Sequence, residues 1–167
     1  MKPDIHPSSY IAKSAVIIGQ VTIGKHCGVY PCAVIRGDEN HIDIDDGSNV
    51  QDCCVIHCSY DHKVTIGKNV SIGHGAIVHG ATIEDTCIIG INATILNGAT
   101  VGRGSIVGAN ALVTTDMQIP PQSLVLGVPG KIIKQDPSYE EKARHNAVTY
   151  QELSKRHKKG DFAYVVP

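Results

Sequence analysis

Aliphatic residues recur every six positions along most of this chain. They occupy positions 11, 17, 23, 29 and 35, then 44, 50 and 56, then 66, 72 and 78. The series resumes at 83 and runs through 89, 95, 101, 107 and 113 to 119. A small residue often follows directly, as in Ile23-Gly24, Ile66-Gly67, Ile72-Gly73, Val101-Gly102 and Val107-Gly108. A period of six matches neither the 3.6 of a helix nor a long uninterrupted strand. It fits a prism of short strands in which each hexad forms one flat side and the aliphatic residue points inward. Three sides make a coil of about 18 residues, and coils stack at roughly 4.8 Å through parallel backbone hydrogen bonds. Eighteen such positions give about six coils. Composition agrees: 21 Ile and 17 Val stand against 5 Leu, with no Trp and one Phe. β-branched side chains suit strands, so a helix bundle is excluded and an all-β solenoid is expected.

Interruptions of the period mark excursions. Nine residues separate Ile35 from Ile44 and ten separate Ile56 from Ile66, which predicts loops near 37–43 and 58–63. One residue is missing between Val78 and Ile83, which predicts a tight adjustment after His79. Beyond Ile119, the segment Leu124-Val125-Leu126-Gly127-Val128-Pro129-Gly130-Lys131 is expected to close the open end of the prism. A C-terminal helix is predicted over 138–159, with Ser138 and Glu141 as a capping box and Gly160 as its stop. Its apolar stripe is Tyr139, Ala143, Ala147, Tyr150 and Leu153. The whole is expected to be one domain, 1–167, with β-helix and closing segment at 5–135.

A net charge of −1 leaves no basic field for nucleic acid or an anionic membrane. No apolar run approaches the roughly 20 residues that span a bilayer, and the start carries no signal-like segment, so a cytoplasmic location is expected. The six cysteines show no CxxC pair and are read as small buried side chains.

Counting hexads places distant residues in columns. Ile35, Ile56 and Val78 fall on one side of successive coils, and each precedes a polar residue: Arg36, His57 and His79. The two imidazoles therefore stand one coil apart, close enough to share a metal ion. Gln51 has the same slot one side earlier. His74 lies five residues before His79, an odd offset that turns it away from the pair of its own chain. Under three-fold association, a neighbouring chain's His74 would complete the site at a subunit interface. Three neutral imidazoles around a divalent ion leave a position open for water, whose pKa falls toward about 7. The resulting nucleophile suits a small electrophile such as CO₂.

The segments Val34-Ile35-Arg36-Gly37-Asp38-Glu39, Ser48-Asn49-Val50-Gln51-Asp52, His57 and Ile72-Gly73-His74-Gly75-Ala76-Ile77-Val78-His79-Gly80 resemble the gamma-class carbonic anhydrases. They are most similar to the short-loop branch also labelled ferripyochelin-binding proteins. The resemblance covers nearly the whole chain and implies a left-handed parallel β-helix and a homotrimer acting on CO₂ and bicarbonate. It implies that His57 and His79 bind metal with His74 of the next subunit, and that Gln51 and Asn49 flank the reacting water. Arg36 would bridge subunits to Asp52, Asp38 would belong to the same network, and Asn146 and Tyr150 would reach the site from the helix. The metal implied is Zn²⁺, with Fe²⁺ or Co²⁺ also accepted by imidazole. The long acidic loop of the archetype is here only Cys58-Ser59-Tyr60-Asp61-His62-Lys63. Glu39 matches one acidic residue of the proton path, and His62 offers a substitute for the other. Two other functions stay open: acyl transfer or thioester hydrolysis on a coenzyme A ester, and a non-catalytic metal-binding or assembly role that includes siderophore binding.

Overall fold

The computed structural model describes residues 1–163 and Val165; residues 164, 166 and 167 of the expected domain lie outside the described residues. Its strands wind into a parallel solenoid with three faces. One face stacks Ile17, Ile35, Ile56, Val78, Ile95 and Val113 in register. A second stacks Ile5, Ile23, Ile44, Ile66, Ile83, Val101 and Ile119. The third stacks Ile11, Val29, Val50, Ile72, Ile89, Val107 and Val125. The solenoid has about seven turns where the hexad count gave six, because Ile5 and Val125 extend the repeat at its two ends.

Each hexad also carries a second inward residue two positions before the aliphatic one. Ala33, Cys54, Ala76, Ala93 and Ala111 fill that slot on the first face, all 1% exposed or less. Cys27 and Cys87 fill it on the third, where burial pushes their thiols up to about 11 and about 12. Cys58 is buried as well. Cys32 and Cys53 depart from the expectation and are exposed. Both sit at a corner with φ of +59°, which turns the side chain outward and away from the small-residue slot.

The first excursion is not a loop. Residues 37–43 lie inside one continuous strand, Val34–Ile44, paired with Val16–Ile23, and the register slips between Gly19 and Val21. The extra residues are absorbed as a bulge because backbone hydrogen bonding persists on both sides of it. Gly19 permits this contact: a Cβ there would lie 2.2 Å from the Gly37 carbonyl oxygen. The second excursion does protrude, closed by an antiparallel bridge between Ser59 and His62 with Tyr60 at its exposed tip. After His79 the chain turns at Gly80, φ +56°, whose N–H donates to the His57 carbonyl (2.9 Å).

At the far end Ser123–Leu126 pairs antiparallel with Lys131–Gln135 and terminates the coil stack. The helix spans Ser138–Lys159 and ends at Gly160, φ +82°. The capping box does not form. Asp136 Oδ1 accepts from the Ser138 N–H (3.0 Å), so an aspartate two residues earlier satisfies the helix start and Ser138 caps nothing. The helix lies along the third face. Tyr30 donates to the Tyr150 carbonyl (3.2 Å) and bonds Ser154 Oγ (3.1 Å), while Gly28 leaves the space that Ser154 fills. No helix among the described residues is long and apolar enough to cross a membrane.

Ile83 is wholly buried in the middle of the second column. Ile83→Ala should lower unfolding free energy by about 2–5 kcal/mol in denaturant titration. A loss below about 1 kcal/mol would show that the columns do not carry the stability.

Candidate metal centre

The parallel register that stacks Ile35, Ile56 and Val78 also stacks the residues after them. Arg36 pairs with His57 across one ladder and His57 with His79 across the next. Parity along an extended strand points all three outward from the inward aliphatics. His57 Nδ1 and His79 Nε2 face each other at 3.0 Å. On its outer side His57 Nε2 meets Asp38 Oδ1 at 3.1 Å, and Asp38 Oδ2 accepts from Arg36 Nη1 (2.6 Å). The Arg36 guanidinium, and then the His57 ring, hold the Asp38 carboxyl below its usual range. A carboxylate only accepts, so a neutral His57 ring bonded to it would donate from Nε2 and turn its Nδ1 electron pair toward His79. The bulge that replaced the expected loop is what brings Asp38 here.

His74 belongs to a different cluster. Its Nδ1 lies 2.8 Å from Asp52 Oδ2, and its Nε2 lies 3.4 Å from the Tyr150 hydroxyl on the helix. Gln51, 4% exposed, accepts from the His74 backbone N–H (3.2 Å) and donates to Asn49 Oδ1 (3.1 Å). Asn49, also buried, donates in turn to Ser71 Oγ (2.9 Å). A cavity of about 190 Å³ opens between Gln51, Ser71, His74, Asn146 and Tyr150. The buried Asn146 Oδ1 has no hydrogen-bond partner among the described residues. Partial burial raises the Tyr150 phenol above its ordinary value.

One chain thus carries two separate polar clusters. His57, His79, Asp38 and Arg36 come together on one face. His74, Gln51, Asn49 and Tyr150 come together at the third face and the corner that follows it. Among the described residues no three His, Cys, Asp or Glu side chains of one chain gather to hold an ion. Within the chain Arg36 pairs with Asp38, and Asp52 pairs with His74. His62 stands in the protruding loop, its Nδ1 3.4 Å from Ser59 Oγ.

Sequence reasoning missed Asn97, whose Oδ1 lies 2.5 Å from His79 Nδ1. The signal was available by counting one coil on from Gly80, since Gly98 N–H donates to the Gly80 carbonyl. Removing the buried amide of Asn49 strands the donor of Gln51. Asn49→Ala should cost about 1–3 kcal/mol in denaturant titration, and an unchanged midpoint would show that the network bears no load.

Two repeat families match the chain: Bacterial transferase hexapeptide (six repeats) over residues 80–115 and Hexapeptide repeat of succinyl-transferase over residues 63–89. A Methanocaldococcus jannaschii protein named "Probable carbonic anhydrase" is 56% identical over 86% of this chain and 91% of its own. Carnitine operon protein CaiE of Salmonella typhimurium is 36% identical over 95% of this chain and 80% of its own. Among solved structures, a hexapeptide transferase family protein from Anaplasma phagocytophilum superposes with a TM-score of 0.88. It is 30% identical and covers 92% of this chain and 91% of that one. With this degree of identity over nearly the full length, the chain belongs to the gamma-class carbonic anhydrase-like family of hexapeptide-repeat proteins.

Proposed function

We propose that this protein catalyses the reversible hydration of CO₂ to bicarbonate at a divalent metal ion, Zn²⁺ in the first instance, held between subunits of a homotrimer. The observation that carries the reading is the 3.0 Å approach of His57 Nδ1 to His79 Nε2. Two nitrogens bound to one tetrahedral ion at about 2.0–2.1 Å lie roughly 3.3 Å apart, so the pair fits a shared ion with little movement. His74 of a second copy would supply the third imidazole through Nε2, with its Nδ1 anchored on Asp52 and the Tyr150 hydroxyl beside Nε2. When bound, the ion supplies Lewis-acid activation of water at neutral pH.

The remaining work falls to side chains of this chain. Asp38 holds the His57 ring and is itself held by Arg36. Gln51 is immobilised by Asn49 and by the His74 backbone, and its second amide hydrogen is left to orient an oxygen of CO₂ or bicarbonate. Tyr150 places a hydroxyl beside His74, and Asn146 lines the same small cavity. A cavity of this size has room for a triatomic molecule. The face that carries the histidine pair also exposes Val16, Ile18, Val55 and Ile77, and Ile91 is exposed beside His74. Apolar side chains flanking both clusters support their burial against another copy. The homologue's name agrees with this reading.

Acyl transfer on a coenzyme A ester is the second reading, favoured by the transferase names of the matching repeat families. Stopped-flow CO₂ hydration on anaerobically purified protein of assayed metal content separates the two. Hydration should track bound metal and fall to the buffer rate after chelation and in His79→Ala, in a particle three times the 17.8 kDa chain mass. Acyl transfer that survives chelation, with no hydration at any metal loading, would establish the second reading instead.

A further inference from the structure

Asn97 is fixed from both sides by the coil ladder. Gly98 N–H donates to the Gly80 carbonyl (2.8 Å), and the Asn97 carbonyl accepts from Asp116 N–H (2.9 Å). Gly80 makes the approach possible: a Cβ there would lie 2.6 Å from Asn97 Oδ1. The amide oxygen is thereby brought to His79 Nδ1.

We infer that Asn97 is a positioning residue that sets the tautomer of His79 and so makes the histidine pair an electron-pair donor site. The inference rests on the metal-binding reading given above. A neutral imidazole carries one ring hydrogen and can place it on either nitrogen. The Asn97 carbonyl oxygen only accepts, so the hydrogen of His79 goes to Nδ1 and the electron pair to Nε2, the atom that faces His57. Asp38 imposes the corresponding choice on His57 from the opposite side. Two acceptors outside the pair therefore leave two electron pairs inside it, 3.0 Å apart. That arrangement is repulsive with nothing between the rings and attractive once a cation is shared. Without Asn97 the His79 hydrogen is free to move to Nε2, where it stands in the way of an ion.

The test reads the tautomer directly. Metal-stripped, ¹⁵N-labelled protein is studied by long-range ¹H–¹⁵N correlation at a pH where the ring is neutral, with the His79 signals assigned by their loss in His79→Gln. Wild type should carry its hydrogen on Nδ1. Asn97→Ala should shift it toward Nε2 and weaken Zn²⁺ binding, measured by chelator competition, by about 10–100-fold. Asn97→Asp retains an acceptor and should keep both properties. A wild-type His79 protonated on Nε2 overturns the inference without recourse to any variant. So does an Asn97→Ala protein whose tautomer is unchanged, or whose tautomer moves while its zinc affinity stays the same. A tautomer that depends on Asn97 in a protein that binds no zinc would uphold the positioning and overturn the metal reading.

Discussion

Arg36, His57 and His79 take their positions from the parallel hydrogen-bond ladder that holds one coil on the next. In-register pairing of Val34–Ile44 with Val55–His57, and of the latter with Ile77–His79, converts sequence separations of 21 and 22 residues into adjacent rungs. The ladder cannot slip by one residue without turning Ile56 and Val78 outward and the histidines into the core. Aliphatic burial along the three columns therefore fixes the geometry of the site. Stability and function draw on the same periodicity.

The helix adds what the prism lacks. On the third face the stacked strands by themselves offer only a surface. Placing Tyr150 and Asn146 over the third face encloses a small cavity against Gln51 and His74. Close approach depends on Gly28, and the helix is tied down by bonds from Tyr30 and by those from Gln151 to Gly47 and Asn69. The polar chain Gln51–Asn49–Ser71 is buried where the neighbouring positions are aliphatic, and each of its members is hydrogen-bonded. A buried amide held in this way keeps one orientation toward whatever occupies the cavity.

Much of this was legible in the sequence because a six-residue period is a geometric statement as well as a compositional one. It places Arg36, His57 and His79 in a column and sets His74 apart from them, and the structure has both features. It did not show how an interruption is absorbed. Nine residues between Ile35 and Ile44 are compatible with a loop or a bulge, and only the pairing with Val16–Ile23 decides for the bulge that delivers Asp38 to His57. Corner chemistry was likewise hidden: Cys32 and Cys53 look like other small residues until their positive φ turns them to solvent. The capping box failed for a local reason, since Asp136 reaches the helix start first. Asn97 escaped notice because it lies one position past the column of His79, beside a glycine whose missing side chain admits it.

The central claim is that a complete site needs two chains, and subunit mixing tests it most directly. His74→Ala and His79→Ala proteins should each be unable to bind metal or hydrate CO₂. Co-expressed, they should form mixed trimers in which roughly one site in three pairs the intact His57 and His79 of one chain with the intact His74 of its neighbour. Recovery of metal and hydration in proportion to those sites is the predicted result. A mixed population as inactive as its parents, or a His74→Ala protein that keeps its metal alone, would contradict it.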